Sequence, residues 1–347
     1  MKKWLGLSLK IVAFTIACTL AAIVLAWLIG RIASDRWLWS QWLSWIPTPA
    51  PLLASVLGLL LAARPAKSAR RRNRLAMRWA VVLVLITGYF GLIEHHMLRK
   101  AGTRTDGVKI VHWNMSQWKY QRVEQFAEAL TSLEGDLIVV SGIDQVSGEP
   151  LVRQWLNGRR GAAWSYPFTV FSKLPIRELQ PLIQSDGIVI TLLMVDLPLS
   201  TGQTGNADPA DSTHELIAAP GQLVLYLVDL PSERNRPRAR IAQQVRELLA
   251  ALPEPPPAPD VVLGDFNMTR MSHSMRVAFP NMHHAYDDAG AGYAATFHRD
   301  WPYFQIDHIL LAGKMRAVRY EILDPGVGRH FAQAAWIRSE DQDRSGE

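Results

Sequence analysis

The sequence predicts an α/β protein built from stacked mixed β-sheets that are flanked by helices, with about three transmembrane helices before them. Three observations support this fold class. Long apolar runs without charges occupy much of the first 98 residues. From Val108 onward, short apolar runs of strand type alternate with amphipathic helical patterns. Several strand-type runs also follow one another without a helix between them, which is typical of stacked sheets with helices on their outer faces.

The N-terminal region contains three apolar runs. Residues 11–30 form an uncharged stretch of about the 20 residues that a helix needs to cross a bilayer. This stretch is longer than the apolar core of a secretory signal, roughly 7–15 residues. The run at 37–63 contains three prolines, so it predicts either a kinked span or a Trp-rich interfacial segment followed by a shorter helix. With the third run, the predicted spans lie near 11–30, 38–63 and 78–97.

The charge distribution predicts the orientation of these spans in the membrane. Residues 1–98 carry twelve basic and two acidic side chains, a net charge of +10, whereas the remainder carries −4. Most of the basic residues lie between the second and third runs, and the positive-inside rule places such a loop in the cytoplasm. Three spans then put the large domain outside the cytoplasm. The membrane that we expect the spans to cross is the cytoplasmic (inner) membrane of a bacterium. If the second run does not cross, the large domain is cytoplasmic.

The same charges bear on the partners. Binding to nucleic acid usually needs a basic surface, and the larger part of this chain is mildly acidic, so the high pI is a weak argument for nucleic acid. The lipid bilayer is the partner that the apolar runs predict. Cys18 is the only cysteine, which excludes an intrachain disulfide.

The soluble region is predicted to extend over residues 106–338, with a polar loop or lid at 200–220 and a disordered tail at 339–347. Its elements alternate along the chain. The predicted strands contain VKIVHWN, DLIVVSGI, YPFTVFSKLPI, GIVITLLMVDL, QLVLYLVDL, DVVLGDFN, YFQIDHILLA, MRAVRYEIL and RHFAQAAWI, and the predicted helices lie at 121–133, 151–156, 238–252 and from 272.

The stretch VVLGDFNMT places Asp265 and Asn267 at the end of a buried strand, two residues apart and therefore on the same face. Gly, Asp and Asn are common in turns, so this pattern fits either a strand end or a site that binds a phosphate, a metal or a water. Asp307, in QIDHILL, is an ionisable group on an apolar strand and needs a partner. His330 fits either a core histidine or a functional one. His308 points to the face opposite Asp307 and is interpreted as structural.

Taken in order, these motifs resemble the endonuclease/exonuclease/phosphatase superfamily, which has the deoxyribonuclease-I-like fold. The resemblance covers about residues 106–338, and the fold it implies is a four-layer sandwich of two mixed β-sheets flanked by helices. It rests on Asn114 in HWN, FSKLPI, GDFN, Thr296-Phe297, Asp307 in IDHI, and His330.

The resemblance implies hydrolysis of a phosphoester with a divalent metal, Mg²⁺ or Mn²⁺. Such chemistry needs a positioned water and neutralisation of the phosphoryl oxygens. By resemblance, Asp265 would orient or deprotonate the water, and Asp307 would hold His330 at the phosphate. Asn114 and Asn267 would donate hydrogen bonds to the phosphate or to Asp265.

The chain departs from the family pattern at three positions. The metal-binding glutamate of the family aligns with Gly142, or with Gln145 if two residues are inserted, and Asp144 is the nearby carboxylate that we expect to bind the metal together with Asp265. Asp229 stands where the family has a catalytic histidine. Arg329 replaces the acidic residue before His330, and an arginine can bind a phosphate but not a metal.

Two functions remain open from the sequence. One is a phosphoester hydrolase with weakened or altered metal dependence, in which Arg329 and Asp229 contact the substrate. The other is an inactive member of the family that binds a phosphorylated ligand or an envelope partner. The acidic domain and the membrane segments favour a lipid-linked or envelope phosphoester over duplex DNA.

Overall fold

The computed structural model describes residues 2–64, 68–115, 123–142, 149–157, 161–197 and 221–340. The predicted loop at 200–220, the predicted ligand Asp144 and most of the predicted C-terminal tail lie outside these residues. The chain divides into two compact units. The first contains residues 1–99 with 235–239, and the second contains residues 100–234 with 240–347.

The first unit is helical. The helices are α1 (Lys2–Ala33), α2 (Leu38–Ser44), α3 (Pro49–Ala62) and α4 (Ala69–Gly88), and α4 continues into a π-helical turn, Tyr89–Glu94. Two segments, Ile11–Ala33 and Ala69–Glu94, are long and apolar enough to cross a membrane. The axes of α2 and α3 differ by 65°, so this pair is a broken span or a re-entrant segment. The break falls where prolines prevent a continuous helix.

A polar cluster joins the ends of these helices. Arg31, near the end of α1, donates hydrogen bonds to the carbonyl oxygens of Ser44 and Ile46 and to Oγ1 of Thr48, at 3.2, 3.2 and 3.1 Å. Glu94, which ends the π turn, accepts a hydrogen bond from Thr48 and lies 3.7 Å from Arg31. The end of α1, the start of α3 and the end of the π-helical turn that follows α4 therefore lie close together.

The second unit contains the remaining elements. The helices are α5 (Val123–Ser132), α6 (Pro150–Leu156), α7 (Arg238–Ala250), α8 (His273–Ala278) and α9 (Ala285–Ala289). The strands are β1 (Val108–Asn114), β2 (Leu137–Ser141), β3 (Gly161–Ser165), β4 (Phe168–Ser172), β5 (Ile176–Ser185), β6 (Ile188–Asp196), β7 (Gln222–Asp229), β8 (Val261–Asp265), β9 (Met282–His284), β10 (Asp307–Ala312), β11 (Met315–Leu323) and β12 (Ala332–Ser339).

Within the described residues these strands form two six-stranded mixed sheets. Their strand orders are β11-β12-β1-β2-β4-β3 and β5-β6-β7-β8-β10-β9. The central core lies between the sheets, where residues such as Ile110 and Val139 face Leu225 and Leu263. The outer face of the first sheet packs against α5 and α6, and that of the second sheet packs against α7 and α8. The predicted two-sheet fold with flanking helices is confirmed.

Three strands were not predicted from the sequence. β5 contains Pro181 and two register irregularities in its pairing with β6, and it is the outermost strand of its sheet. A proline lacks the N–H of a central strand and is tolerated at an edge or a bulge. β3 is also an edge strand, and β9 has only three residues, so neither gives a long apolar run.

The topology places the ends of several strands together. β7 and β8 are parallel and both end in an aspartate, and β10 runs antiparallel to β8 and begins with one. Asp265 is consequently in register with Asp229 on one side and with Asp307 on the other. Asn114 ends β1 in the opposite sheet. One edge of the sandwich thus collects the side chains on which the site depends.

Gly264 in the GDFN motif allows β7 and β8 to approach closely. Its φ is +149°, and a Cβ atom at this position would lie 1.8 Å from the carbonyl oxygen of Val228. No side chain fits there without displacing the β7 backbone, which also carries Asp229. The fold therefore requires glycine at this position of the motif, whether or not the motif takes part in catalysis.

We expect Gly264→Ala to lower the free energy of unfolding by about 3 kcal/mol or more, because the clash is with backbone and the φ value is unfavourable for alanine. Chemical denaturation of the full-length protein in detergent measures this change. Gly313→Ala is the matched control, since no atom lies within 4 Å of a Cβ at Gly313. Equal stability of the two variants would contradict this explanation.

Candidate active site

Asp265 is the centre of the site and is almost fully buried. Its Oδ2 accepts a hydrogen bond of 2.9 Å from Nδ2 of Asn114, which comes from the other sheet. Its Oδ1 accepts one of 2.8 Å from the backbone N–H of Asn267. These two donors fix the carboxylate in one orientation at the point where the two sheets meet.

Asn267 acts here through its backbone. Its φ is +50°, a left-handed conformation that asparagine tolerates better than most residues. This conformation points the N–H at Asp265, while the Asn267 side chain donates a 2.9 Å hydrogen bond to the carbonyl of Leu230. The side chain thereby ties the end of β8 to the segment that follows β7. The hydrogen bond expected from Asn267 to Asp265 is made by the main chain.

Asp307 and His330 form a buried pair. Oδ2 of Asp307 lies 2.8 Å from Nδ1 of His330, and both side chains are at most 4% exposed. Burial alone would raise the pKa of Asp307, but the charge of His330 and the hydrogen bond from it outweigh burial and lower that pKa. Burial likewise opposes the charged form of His330, but the charge and hydrogen bond of Asp307 raise its pKa. Both shifts favour the form of the pair in which Asp307 is ionised and His330 is protonated.

Thr296 supports this pair. Its Oγ1 accepts hydrogen bonds of 3.2 Å from the backbone N–H groups of Ile306 and Asp307, which fixes the start of β10. Thr296 is itself fully buried, and its side chain also lowers the pKa of Asp307. The sequence motif Thr296-Phe297 pointed to this position, but the supporting role could not be assigned without the fold.

Two further carboxyl groups have raised pKa values. Burial, together with the charge of Asp307, raises the pKa of Asp265 to about 8. The same two causes, in the same order, raise the pKa of Asp229 to about 6. Three carboxyl groups in register on neighbouring strands repel one another, and the charge of His330 compensates for only part of this repulsion.

Arg329 lies at the rim of the site. Its side chain is exposed, and its guanidinium carbon lies 5.2 Å from the centre of the Phe297 ring, which in turn lies 4.8 Å from the His330 ring. Its positive charge lowers the pKa of His330, although the effect of Asp307 is larger. Arg329 is therefore placed to meet an anion that approaches His330 from solvent.

The structure describes part of the segment that corresponds to the metal-binding glutamate of the family. β2 ends at Ser141, in register with Asn114, and Gly142 follows with a φ of +80° and a 3.0 Å hydrogen bond to the carbonyl of Pro167. Gly142 brings no carboxylate to this edge. The predicted ligand Asp144 and the alternative Gln145 lie outside the described residues.

Asp265, Asp307 and His330 form the group of possible metal ligands found within the described residues. Each offers one ligand atom, and these atoms lie within 4.8 Å of one another. Oδ1 of Asp307 is buried without a hydrogen bond in the described part of the chain. Carboxylate oxygens are the ligands that Mg²⁺ and Mn²⁺ prefer. The crowded acids also need a positive charge, so the residues present fit a divalent cation.

Comparison with known proteins agrees with this architecture. The family model described as the Endonuclease/Exonuclease/phosphatase family matches residues 111–337, more than half of the chain. No curated protein sequence matches the chain.

Similar solved structures include humanized Danio rerio TDP2, with 13% identity, a TM-score of 0.46 and coverage of 67% of this chain and 99% of that chain. A Bacteroides thetaiotaomicron mannosyl-6-phosphatase has 14% identity, a TM-score of 0.46 and coverage of 67% and 100%. The human Nocturnin catalytic domain has 14% identity, a TM-score of 0.43 and coverage of 69% and 95%. On the extent of the family match, the chain belongs to the Endonuclease/Exonuclease/phosphatase family.

Proposed function

We propose that this protein is a membrane-anchored hydrolase of phosphoesters that uses a divalent cation, Mg²⁺ or Mn²⁺. The observation that carries the proposal is the convergence of Asn114, Asp265, Asp307 and His330 at one edge of the sandwich, with their hydrogen bonds formed. These residues come from distant parts of the sequence. Their convergence matches what a phosphoryl centre needs, namely a group that orients water and a cation that meets the phosphate oxygens.

Asp265 is the group that orients the attacking water. Its two oxygens are already fixed by Asn114 and the Asn267 backbone, so the remaining lone pairs have defined directions. In its ionised form, which its pKa of about 8 places in weakly alkaline solution when no cation is bound, Asp265 accepts a hydrogen bond from a water, aligns it for attack and takes its proton. Asn114 contributes by preventing rotation of this carboxylate and needs no charge of its own to do so.

His330 is the group that meets the phosphate. Its Nδ1 is engaged by Asp307, which leaves Nε2 as the donor to a phosphoryl oxygen. The raised pKa of His330, caused mainly by the charge and hydrogen bond of Asp307 acting against burial, favours the protonated ring in which Nε2 is a donor. Arg329 at the rim adds a second positive charge for the incoming anion, and its planar guanidinium suits phosphate.

Asp265 and Asp307 would hold the cation, with Asp144 as the further ligand predicted from the sequence. When bound, the cation would neutralise charge on the phosphoryl oxygens and on the crowded carboxylates. Asp229 contributes differently, because its pKa of about 6 leaves it partly protonated in weakly acidic solution. In that form it donates a hydrogen bond to the substrate, in place of the family histidine.

The substrate proposed is a lipid-linked or envelope phosphoester. The second unit has a mildly acidic composition, and the first contains two helices that are long and apolar enough to anchor it to a membrane. Duplex DNA would need a more basic surface. The charge and the anchor favour a small phosphorylated headgroup over nucleic acid.

A second candidate is a family member that binds a phosphorylated ligand without hydrolysing it. Gly142 supplies no carboxylate where the family has a metal-binding acid, and Asp229 occupies the position of a catalytic histidine. Both departures remove groups that serve turnover, while Arg329 and His330 still provide positive charge for a phosphate. Activity assays with and without metal distinguish the two functions.

We expect the full-length protein in detergent to hydrolyse bis(p-nitrophenyl) phosphate or p-nitrophenyl phosphate with Mg²⁺ or Mn²⁺, and EDTA to abolish this activity. Asp265→Asn and His330→Gln are each expected to lower kcat/KM by about 10²- to 10⁴-fold, because the first removes the group that takes the proton of the attacking water and the second removes the positive charge that meets the phosphate.

Glu254→Gln is the matched control for these variants, since Glu254 is exposed in the connection before β8, at the end of that strand opposite Asp265. Release of p-nitrophenol is the measurement. Saturable phosphate binding by isothermal calorimetry with no release of p-nitrophenol would favour the second candidate.

The crowded carboxylates predict a pH dependence of stability in EDTA. The pKa of Asp265 in the folded state, about 8, lies above its usual value, so the folded state binds the proton more tightly than the unfolded state. The free energy of unfolding therefore falls as pH rises from about 4 to about 8. Asp265→Asn removes this loss and is expected to be more stable than wild type at pH 8 by about 1–3 kcal/mol.

Denaturation curves of both proteins between pH 5 and 8 test this expectation. The advantage of Asp265→Asn should shrink toward pH 5, where Asp265 is already protonated. An unchanged difference across this range would contradict the raised pKa. Addition of Mg²⁺ at pH 8 should stabilise wild type more than Asp265→Asn.

The proposed topology has the N-terminus and the Arg-rich start of α4 in the cytoplasm and the second unit outside. The Arg31 cluster supports three crossings, because it brings the ends of α1 and α4 to the level where α3 starts. From that level, the segment Ala69–Glu94 extends over roughly 39 Å toward its basic start.

We expect alkaline phosphatase fused after Glu347 to be active in a bacterial host, and green fluorescent protein at the same position to be dark. Fusions after Lys67 should give the opposite result. A fluorescent C-terminal fusion would place the second unit in the cytoplasm and reject the three-span topology.

A further inference from the structure

We propose that His112 is a positioning residue whose Nε2 donates to Oδ1 of Asp307 and thereby fixes the orientation of His330. The inference rests on the proposed function for its catalytic consequence, but its structural content stands by itself. His112 lies in β1, two residues before Asn114 and on the same face. Its side chain is completely buried among the residues between the two sheets.

A chain of hydrogen bonds leads to His112 from the interior. Gln333 is the partner of His112 in the pairing of β1 with β12, and its Nε2 lies 3.3 Å from Nδ1 of His112. The hydroxyl of Tyr320 donates a 2.9 Å hydrogen bond to Oε1 of Gln333. This bond decides which end of the amide faces the imidazole, because the hydroxyl proton goes to the carbonyl oxygen. The amide nitrogen is consequently turned toward His112.

The amide nitrogen of Gln333 is only a donor, so Nδ1 of His112 must be the acceptor. An imidazole that accepts a hydrogen bond on Nδ1 has no proton on that atom and is therefore neutral. A neutral imidazole carries one proton, and with Nδ1 accepting, that proton resides on Nε2. The hydrogen bonds thus select one tautomer of His112 and make Nε2 a donor.

Two buried atoms beneath the site have no hydrogen bond within the described residues. One is Nε2 of His112, a donor by the argument above, and the other is Oδ1 of Asp307, an acceptor. His112 lies on the same face of β1 as Asn114, which contacts Asp265, and Asp265 is in register with Asp307, so His112 and Asp307 face the same part of the space between the sheets. A buried polar atom without a hydrogen bond destabilises the fold, and a donor that meets an acceptor removes this cost for both atoms. The two atoms are chemically complementary.

The alternative orientation of Gln333 fails on the same grounds. With its carbonyl oxygen toward His112, the proton would move to Nδ1 and leave a lone pair on Nε2. This lone pair would then face the negatively charged carboxylate of Asp307, and the two would repel each other. The Tyr320 hydroxyl would also lose its acceptor on Gln333. The observed orientation is the one that satisfies both ends of the chain.

The consequence for the site concerns the freedom of Asp307 to rotate. Oδ2 of Asp307 accepts from His330, and a donor at Oδ1 holds the plane of the carboxylate. A carboxylate oxygen has two lone pairs, so this interaction is compatible with a cation on the same atom. His330 then keeps Nδ1 protonated and directs Nε2 outward. His112 acts through Asp307 and has no contact with the reacting phosphate.

The test is nuclear magnetic resonance of the full-length protein in detergent, with ¹⁵N-labelled histidine, in EDTA and in Mg²⁺. We expect His112 to show the Nε2–H tautomer and His330 to show a protonated Nδ1 that exchanges slowly with solvent. In Gln333→Met, which has a similar shape but no donor, His112 should populate both tautomers. An Nδ1–H tautomer of His112 in the wild-type protein would overturn the proposal.

In His112→Phe the Nδ1 proton of His330 should exchange at least about fivefold faster, as expected for the loss of roughly 1 kcal/mol of hydrogen bonding. Thr169→Val is the matched control, because Thr169 is another buried polar side chain of the same sheet whose Oγ1 makes no hydrogen bond within the described residues. It should leave the exchange rate unchanged. If His112→Phe does not fold, Gln333→Met decides by the same measurement. Unchanged exchange in a folded variant would overturn the proposal.

Hydrolysis of bis(p-nitrophenyl) phosphate separates this inference from the proposed function. With an active wild type, Gln333→Met should lower kcat by about 10-fold with KM unchanged, which is the usual scale for supporting partners of a site. An inactive wild type with the expected tautomer and slow exchange would reject the proposed function and support the positioning role. An active wild type with unaffected kcat and exchange in Gln333→Met would reject the positioning role alone.

Discussion

The repulsion among carboxyl groups at the ends of β7, β8 and β10 is the constraint on which the site depends. The sheet register places Asp229, Asp265 and Asp307 side by side, with His330 as the buried counter-charge. This excess of negative charge favours protons, a cation or hydrogen-bond donors at the site. The hydrogen bonds that Asn114 and the Asn267 backbone donate to Asp265, and the contact of His330 with Asp307, partly meet this need.

The same repulsion explains why the acids of the site both lower the stability of the fold and favour the binding of a cation. When a cation binds to a group of acids that repel one another, the free energy of the site falls. The effect is large because burial has removed the water that would otherwise screen these charges. The acids that weaken the fold near neutral pH are thus the ones that favour a cation. The cost is confined to one edge of the sandwich, and the apolar core between the sheets carries the remaining stability.

The sequence predicts much of this architecture, for physical reasons that differ between elements. β8 and β10 were predicted because they are apolar runs, and the aspartate at the end of one and the start of the other identified Asp265 and Asp307 as candidates for the site. β5 was missed because Pro181 and its irregular register hide the period of a strand. His330 and Asp307 were linked only through the family resemblance, since their 23-residue separation says nothing about contact. His112 was overlooked because a buried histidine acquires meaning only when Gln333 and Tyr320 are seen beside it.

The outermost position of β5 has a consequence for how neighbouring copies of the chain meet. Pro181 offers no N–H, and two irregularities interrupt the pairing pattern along the strand. An incoming strand would find a broken row of donors and acceptors, so extension of the sheet from one copy into the next is disfavoured. The irregular outer edge of β5 therefore limits strand pairing between copies of the chain.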